Sequence, residues 1–351
     1  MRLTAPLVIA GLAVVAAPAV AQDNDHPIVL REVVRTARMG AYQGRNNGPE
    51  QTERFSRKVK IGRDGRFTLS NVSGDIVVTA GGGDEVSIEA IKRTRGEKGE
   101  LGRVQIVVDD RAGRVDVRTE HDQNRTGSRQ GDHVSVDYTV TVPASVSVDV
   151  HSVSGSVKVT GVHGSLRAET VSGEVTINDA PRLEAAKTVS GDVSLTGVTA
   201  DGDLSAGSVS GNVRAKGLKA RGLDLGSVSG DINVTDVTCD RLGVKTVSGG
   251  VEYAGGIAKG GRYEINAHSG TVRLQLTNPA GFELNANSFS GSIRSELPMT
   301  ISSESTRQSD SSGSRSRRGP MSSHAMRATF GDGSATLVVR TFSGDIIITK
   351  R

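Results

Sequence analysis

The chain has 351 residues, 23% of them charged, and a net charge of only +4 with histidines neutral. So mixed a charge excludes the concentrated basic stripe of a nucleic-acid-binding protein, and no nucleic-acid partner is expected. A single cysteine excludes an intrachain disulfide, and 44 glycines with 3% aromatics argue against the aromatic platforms of a sugar-binding cleft.

The first residues read as a secretory signal, residues 1–21. Arg2 supplies the positive end, Leu7 to Ala17 the apolar stretch, and Ala19-Val20-Ala21 a small-residue cleavage site before Gln22. Export to the periplasm or cell surface of a bacterium is the expectation. No cysteine follows the cleavage site to carry a lipid anchor, and no later apolar stretch is long enough to span a membrane, so no transmembrane segment is expected after cleavage.

Residues 22–60 form an N-terminal segment, read as partly flexible; Ile28 to Met39 fits a short helix or a strand, and Asn46 to Glu50 a loop. Residues 61–150 alternate apolar and polar positions. Val86–Ile88, Val104–Val108, Val115–Val117, Val134–Val142 and Val146–Val150 are strand candidates. Asp109 to Gly113 reads as a hairpin turn, Gly81 to Asp84 as a tight turn and Glu120 to Asp132 as a polar loop. Hairpins here would cap a stack at its N-terminal end, where unpaired strand edges would otherwise be open.

Residues 151–298 carry the strongest signal. The motif Val-Ser-Gly, or a close variant, recurs every 18 to 21 residues from Gly155 to Gly291, with outlying copies at Gly74 and Gly344. Apolar residues stand five and three positions before each Val, as Leu166 and Ala168 before Val171, and two and four after each Gly, as Val175 and Ile177. That step of two is a strand with one buried face. Each repeat is therefore strand, Ser-Gly corner, strand and return turn, the turn carrying Gly161, Asn178–Asp179, Gly197, Gly217 or Asp236. The lone Cys239 falls at such a turn position. One repeat cannot bury its apolar side, but stacked repeats can. The fold class expected is all-β: a β-solenoid (β-helix) of about ten short rungs with an N-terminal β-rich cap, a rod on the order of 50 Å long.

Two columns bear on function. Thr170, Thr188, Ser208, Ser227, Thr246 and Ser288 share parity with the buried leucines and read as an internal hydroxyl ladder. The next column is Val153, Val171, Val189, Val209, Val228, Val247, His268, Phe289 and Phe342. Strict alternation points it outward, as an apolar stripe for protein binding or self-association; a bend at the corner would turn it inward, and the bend is the reading we favour.

Residues 299–327 are a Ser/Arg-rich insertion expected to be a flexible loop. Its Arg307, Arg315, Arg317 and Arg318 could touch an acidic surface or anionic glycan, but a solvated loop is the reading we favour. Residues 328–351 return to one last repeat. No histidine has metal-ligand spacing with another His or a Cys, and no nucleophile elbow or phosphate loop occurs, so no catalytic set, cofactor or metal is expected. Glu174, Asp192, Asn212 and Asp231 make a column after the glycine, one per rung, as readily turn formers as acids.

These residues resemble a bacterial family of β-strand-repeat proteins known as putative adhesins, which contain a domain of unknown function. The likeness is carried by the stretch from Phe67 to Ile76, the strand from Gly83 to Ile88, Tyr138 to Pro143, the tandem Thr-Val-Ser-Gly rungs and the closing Thr341 to Ile346, and covers roughly Phe55 to Arg351. The resemblance implies a β-solenoid, export and a non-enzymatic role, and supplies no catalytic residues. An exported adhesion module or envelope scaffold is the expectation, binding an envelope protein or glycan through a lateral face of the rod. A carbohydrate-active β-helix (lyase or hydrolase) and a self-assembling polymer built through uncovered rod ends remain as alternatives. The polymer would follow from a rod that ends on its last strand, Asp345 to Lys350.

Overall fold

The computed structural model describes residues 49–95, 99–121, 134–277, 279, 281–301 and 324–351. The signal segment, residues 22–48, most of the polar loop after Glu120, and Arg307, Arg315, Arg317 and Arg318 lie outside them.

The described residues form two long sheets facing one another, one of 14 strands and one of 13. Each rung gives a longer strand to the first and a short one to the second, as Leu166–Ser172 and then Val175–Asn178. Successive rungs pair in parallel and in register: Thr170 faces Thr188, and Val175 faces Val193. The protein is thus a β-solenoid. Its core lies between the sheets, built from the inward columns the alternation marks; Leu166, Ala168, Val175 and Ile177 have no exposed surface. A further buried column (Val162, Ala180, Val198, Leu218, Val237, Ile257) closes the return side of the rung. The turn before it needs a left-handed residue, which Gly161, Asp179, Gly197, Gly217 and Asp236 supply with φ between 51° and 74°. Glycine and aspartate tolerate that conformation.

The corner is closed by three ladders. From Gly155 on, each corner glycine lies so close to the carbonyl of the glycine in the neighbouring rung that any Cβ would overlap it, as Gly191 on Gly173 or Gly230 on Gly211. The hydroxyl column donates to those same carbonyls: Thr188 Oγ1 to Gly173 O at 3.0 Å, Ser208 Oγ to Gly191 O at 2.8 Å, Ser227 Oγ to Gly211 O at 3.0 Å. The post-glycine column accepts from the next rung's backbone. Asp192 Oδ1 takes the Asn212 N–H at 2.8 Å, Asn212 Oδ1 the Asp231 N–H at 2.9 Å, and Asp231 Oδ1 the Gly250 N–H at 2.7 Å. The repeated Ser-Gly-Asp signature is therefore a device for bending a stacked chain while satisfying its buried polar groups.

Chain order and rod order part company at both ends. The rung of Arg66–Ser73 and Ile76–Gly81 sits between Ser147–Ser154 with Val157–Thr160 on one side and Arg114–His121 with Ser135–Pro143 on the other. The closing rung, Ala335–Ser343 and Ile346–Lys350, is inserted between the Gly270 and Gly291 rungs. The last strand of the chain is thus inside the rod. Beyond it, His324–Phe330 runs antiparallel to Phe282–Ser290 and is followed by the short Thr300–Ile301. At the other end the hairpin of Val104–Arg111 and Arg114–His121 closes one sheet. Gln51–Lys60, antiparallel to Glu85–Thr94, closes the other with a strand rich in Arg and Lys. Charged and antiparallel edge strands discourage rung-on-rung addition.

Candidate functional site

The valine column faces solvent. Val153, Val171, Val189, Val209, Val228 and Val247 keep 45 to 50% of their surface exposed, as does Phe342 at 49%. His268 is exposed and Phe289 partly so. The inward bend expected from the sequence is corrected. The strands run unbroken through Ser172, Ser190 and Ser210, so alternation still governs the valine, and the chain turns only at the glycine two residues later. Val72, half-exposed in the Gly74 rung, extends the column by one; its Asn71-Val72-Ser73-Gly74 context carries the same pattern.

In the stack the column reads Val72, Val153, Val171, Val189, Val209, Val228, Val247, His268, Phe342, Phe289. Insertion of the closing rung places Phe342 between the other two rings. His268 and Phe342 stack at 5.0 Å and 11°, and Phe342 and Phe289 at 4.7 Å and 6°. Those spacings match the ~4.8 Å between parallel strands, so the rings lie along the rod and present edges rather than faces. A sugar ring stacks on an aromatic face, whereas edges continue the apolar contact of the valines.

Beside the column, two residues before each member from Val171 onward, stand Glu169, Lys187, Gly207, Gly226, Lys245, Asn266, Arg340 and Asn287, with His151 before Val153. Gly207 and Gly226 lack side chains, which opens a shallow groove of about 660 Å³ between Lys187 and Lys245, walled by Val209 and Val228. A second groove of about 620 Å³ lies at the aromatic end, between Asn266, Arg340, His268 and Phe342. On the far side of the column, past the serines, stand Glu174, Asp192, Asp231 and Asp345. Burial alone would raise the Asp192 carboxyl, but the Asn212 amide and the Arg214 guanidinium at 2.6 Å hold it below the usual carboxylate range. The Ser292 amide and hydroxyl do the same for Asp345.

Among the described residues no group of three His, Cys, Asp or Glu side chains is placed to hold a metal, and no helix is long and apolar enough to cross a membrane. Cys239 is not at a turn. It is buried within the strand Thr238–Ser248, where burial first, and the Asp240 charge second, push its thiol up to about 12.

No curated protein matches the chain. Among solved structures, a putative lipid binding protein from Parabacteroides distasonis is 11% identical, covering 85% of this chain and 96% of its own, with a TM-score of 0.47. A putative adhesin from Bacteroides fragilis is 14% identical over 84% of this chain and 97% of its own, at 0.37. A putative cell adhesion protein from Clostridium sporogenes is 10% identical over 86% and 100%, at 0.22. The sequence profile described as Toastrack DUF4097 matches residues 66–349, the span that holds every glycine-cornered rung, and the chain belongs to that family.

Proposed function

We propose that the protein is an exported, non-enzymatic binding module, an adhesin or envelope scaffold, that engages its partner through the lateral face carrying the Val/Phe column. The observation that carries this reading is the column itself. Ten successive rungs place an apolar or aromatic side chain at a solvent-facing position, while the adjoining column is serine throughout. A solvated corner has no need of ten such residues, and an unbroken apolar line on a soluble surface marks an interaction site. Weak contacts repeated along a rod sum to avidity without a deep pocket. Asp192, Asp231 and Asp345 each accept a backbone N–H of the next rung, which supports a structural use over general acid–base work. Among the described residues three of the four sheet edges are antiparallel strands, which weighs against a filament; the fourth is the three-residue parallel strand Ile293–Ser295. The arginines between 299 and 327 are proposed as an auxiliary contact for an anionic envelope component.

The test is co-sedimentation of the protein with envelope fractions, comparing the native chain with Val189→Thr/Val209→Thr/Val228→Thr. Threonine keeps the shape and β-branching of valine and replaces one methyl with a hydroxyl, so the fold is preserved while the apolar surface is cut. Loss of sedimentation in the variant is expected; equal sedimentation would overturn the reading.

A further inference from the structure

The two flanks of the apolar column carry opposite charge, rung by rung. Lys187 and Asp192 belong to one rung and stand on opposite sides of Val189; Arg340 and Asp345 belong to another and flank Phe342 in the same way. Lys245 shares a rung with Gly250, but Asp231 is one rung away. From Lys187 to Arg340 the near-flank column next to the valines is basic or neutral, with Asp224 and Glu264 one step farther out, and the column just past the corner glycines is acidic or neutral. Such a surface is self-complementary under one operation only. A two-fold axis running along the column exchanges left and right flanks while keeping the rods parallel and each rung beside its own copy. An axis across the column would instead set basic row against basic row and acidic against acidic.

We propose that the column is covered by a second copy of this chain, the two rods lying side by side and parallel about that axis. The proposal rests on the lateral-face reading above and names its occupant. Valines of the two copies meet rung for rung, Lys187 of one copy faces Asp192 of the other, and Arg340 faces Asp345. Asp192 already accepts from the Asn212 N–H and Arg214, Asp345 from Ser292, and Arg340 stands 3.8 Å from Glu264 of its own chain, so the second copy's cations would add to bonds already made within each chain. The footprint, ten rungs at ~4.8 Å by about five residues at ~3.3 Å, is roughly 790 Å² per copy. A standard interface buries about 800 Å² per partner. One rung opposes the match: Glu169 of one copy would face Glu174 of the other.

Sedimentation velocity of the unaltered chain over a concentration series should show a reversible dimer. Val189→Thr/Val209→Thr/Val228→Thr should weaken it about tenfold or more with an unchanged melting curve, and Glu169→Lys should strengthen it, which general stickiness of an apolar surface would not do. Val171→Cys, Val209→Cys and Val247→Cys, made singly, should each cross-link to its own copy under mild oxidation. An antiparallel pair would cross-link at one of these positions at most. Cys239 is buried and stays silent in the native control. A monomer at every concentration with no cross-link overturns the dimer. If the threonine variant nevertheless loses envelope binding, the lateral-face reading survives alone and the occupant is a different molecule; if envelope binding is also unchanged, both readings fail.

Discussion

Gly191→Ala is expected to open the rod at one rung. The new Cβ would lie inside the van der Waals envelope of the Gly173 carbonyl oxygen, and that oxygen belongs to backbone, which cannot rotate away. Relief requires the Gly191 corner to move off the Gly173 corner by about an ångström. Three hydrogen bonds tie the two corners: Gly173 N–H to Ser190 O at 2.8 Å, Val175 N–H to Asp192 O at 2.9 Å, and Thr188 Oγ1 to Gly173 O at 3.0 Å. At about 1 kcal/mol each, their loss comes to ~3 kcal/mol, with further strain because Gly191 sits at φ 144°. Gly202→Ala is the control, since a Cβ there meets nothing within 4 Å and the backbone is not left-handed; a change within ~0.5 kcal/mol is expected. Urea unfolding followed by circular dichroism gives the two stabilities. Amide exchange should place the damage in segments bordering 172–192, because each rung contacts only its neighbours. If Gly191→Ala matches Gly202→Ala to within ~1 kcal/mol, the backbone-contact account of the corner is wrong.

Other outcomes follow from the same ladders. Thr188→Val, which removes a bonded hydroxyl, should cost about 1 kcal/mol, whereas Thr246→Val should be neutral or stabilising, because Thr246 Oγ1 is buried with no hydrogen-bond partner; equal losses by urea titration would contradict the assignment. Cys239 should resist thiol reagents at pH 8 in the folded protein and react once urea is added, since its thiol is buried and pushed up to about 12; rapid labelling of the native state would place it elsewhere. Asp192 and Asp345 have folded values depressed below the ordinary carboxylate range, so their stabilisation is fully present above about pH 4 and is lost as pH falls through the folded values. Asp192→Asn/Asp345→Asn keeps the amide acceptor, as Asn212 does naturally, and should flatten the decline of stability below about pH 4; an unchanged decline would exclude these two groups as its source.

Much of this fold was legible because it is written many times. A buried column one residue wide is ambiguous in a single strand, but Leu166, Leu204, Leu223 and Leu242 recur in phase and fix both period and parity. The hydroxyl ladder was readable by the same parity. The valine column was not, because periodicity cannot say at which residue a corner begins to bend; only the carbonyl–glycine contact shows that the turn waits for Gly173 and its equivalents. The groove at Gly207 and Gly226 escaped notice for a different reason. It is made by missing side chains, and in a chain of 44 glycines two more carry no signal. The insertion of the closing rung beside Gly270 was also hidden. Both arrangements satisfy the repeat equally, and the choice is made by the strand His324–Phe330, which reverses the chain before it re-enters the stack.

Footprinting of the outward side chains, at a dilution where the protein is monomeric and with and without bound envelope material, tests the central claim most directly. Oxidative labelling reports each exposed residue separately, and the account predicts protection running along Val171, Val189, Val209, Val228 and Val247, continued by His268 and Phe342. Protection confined to the outer face of the 13-stranded sheet, at Arg214, Asn233 and Arg273, with the valine column still labelled as in the free protein, would contradict it.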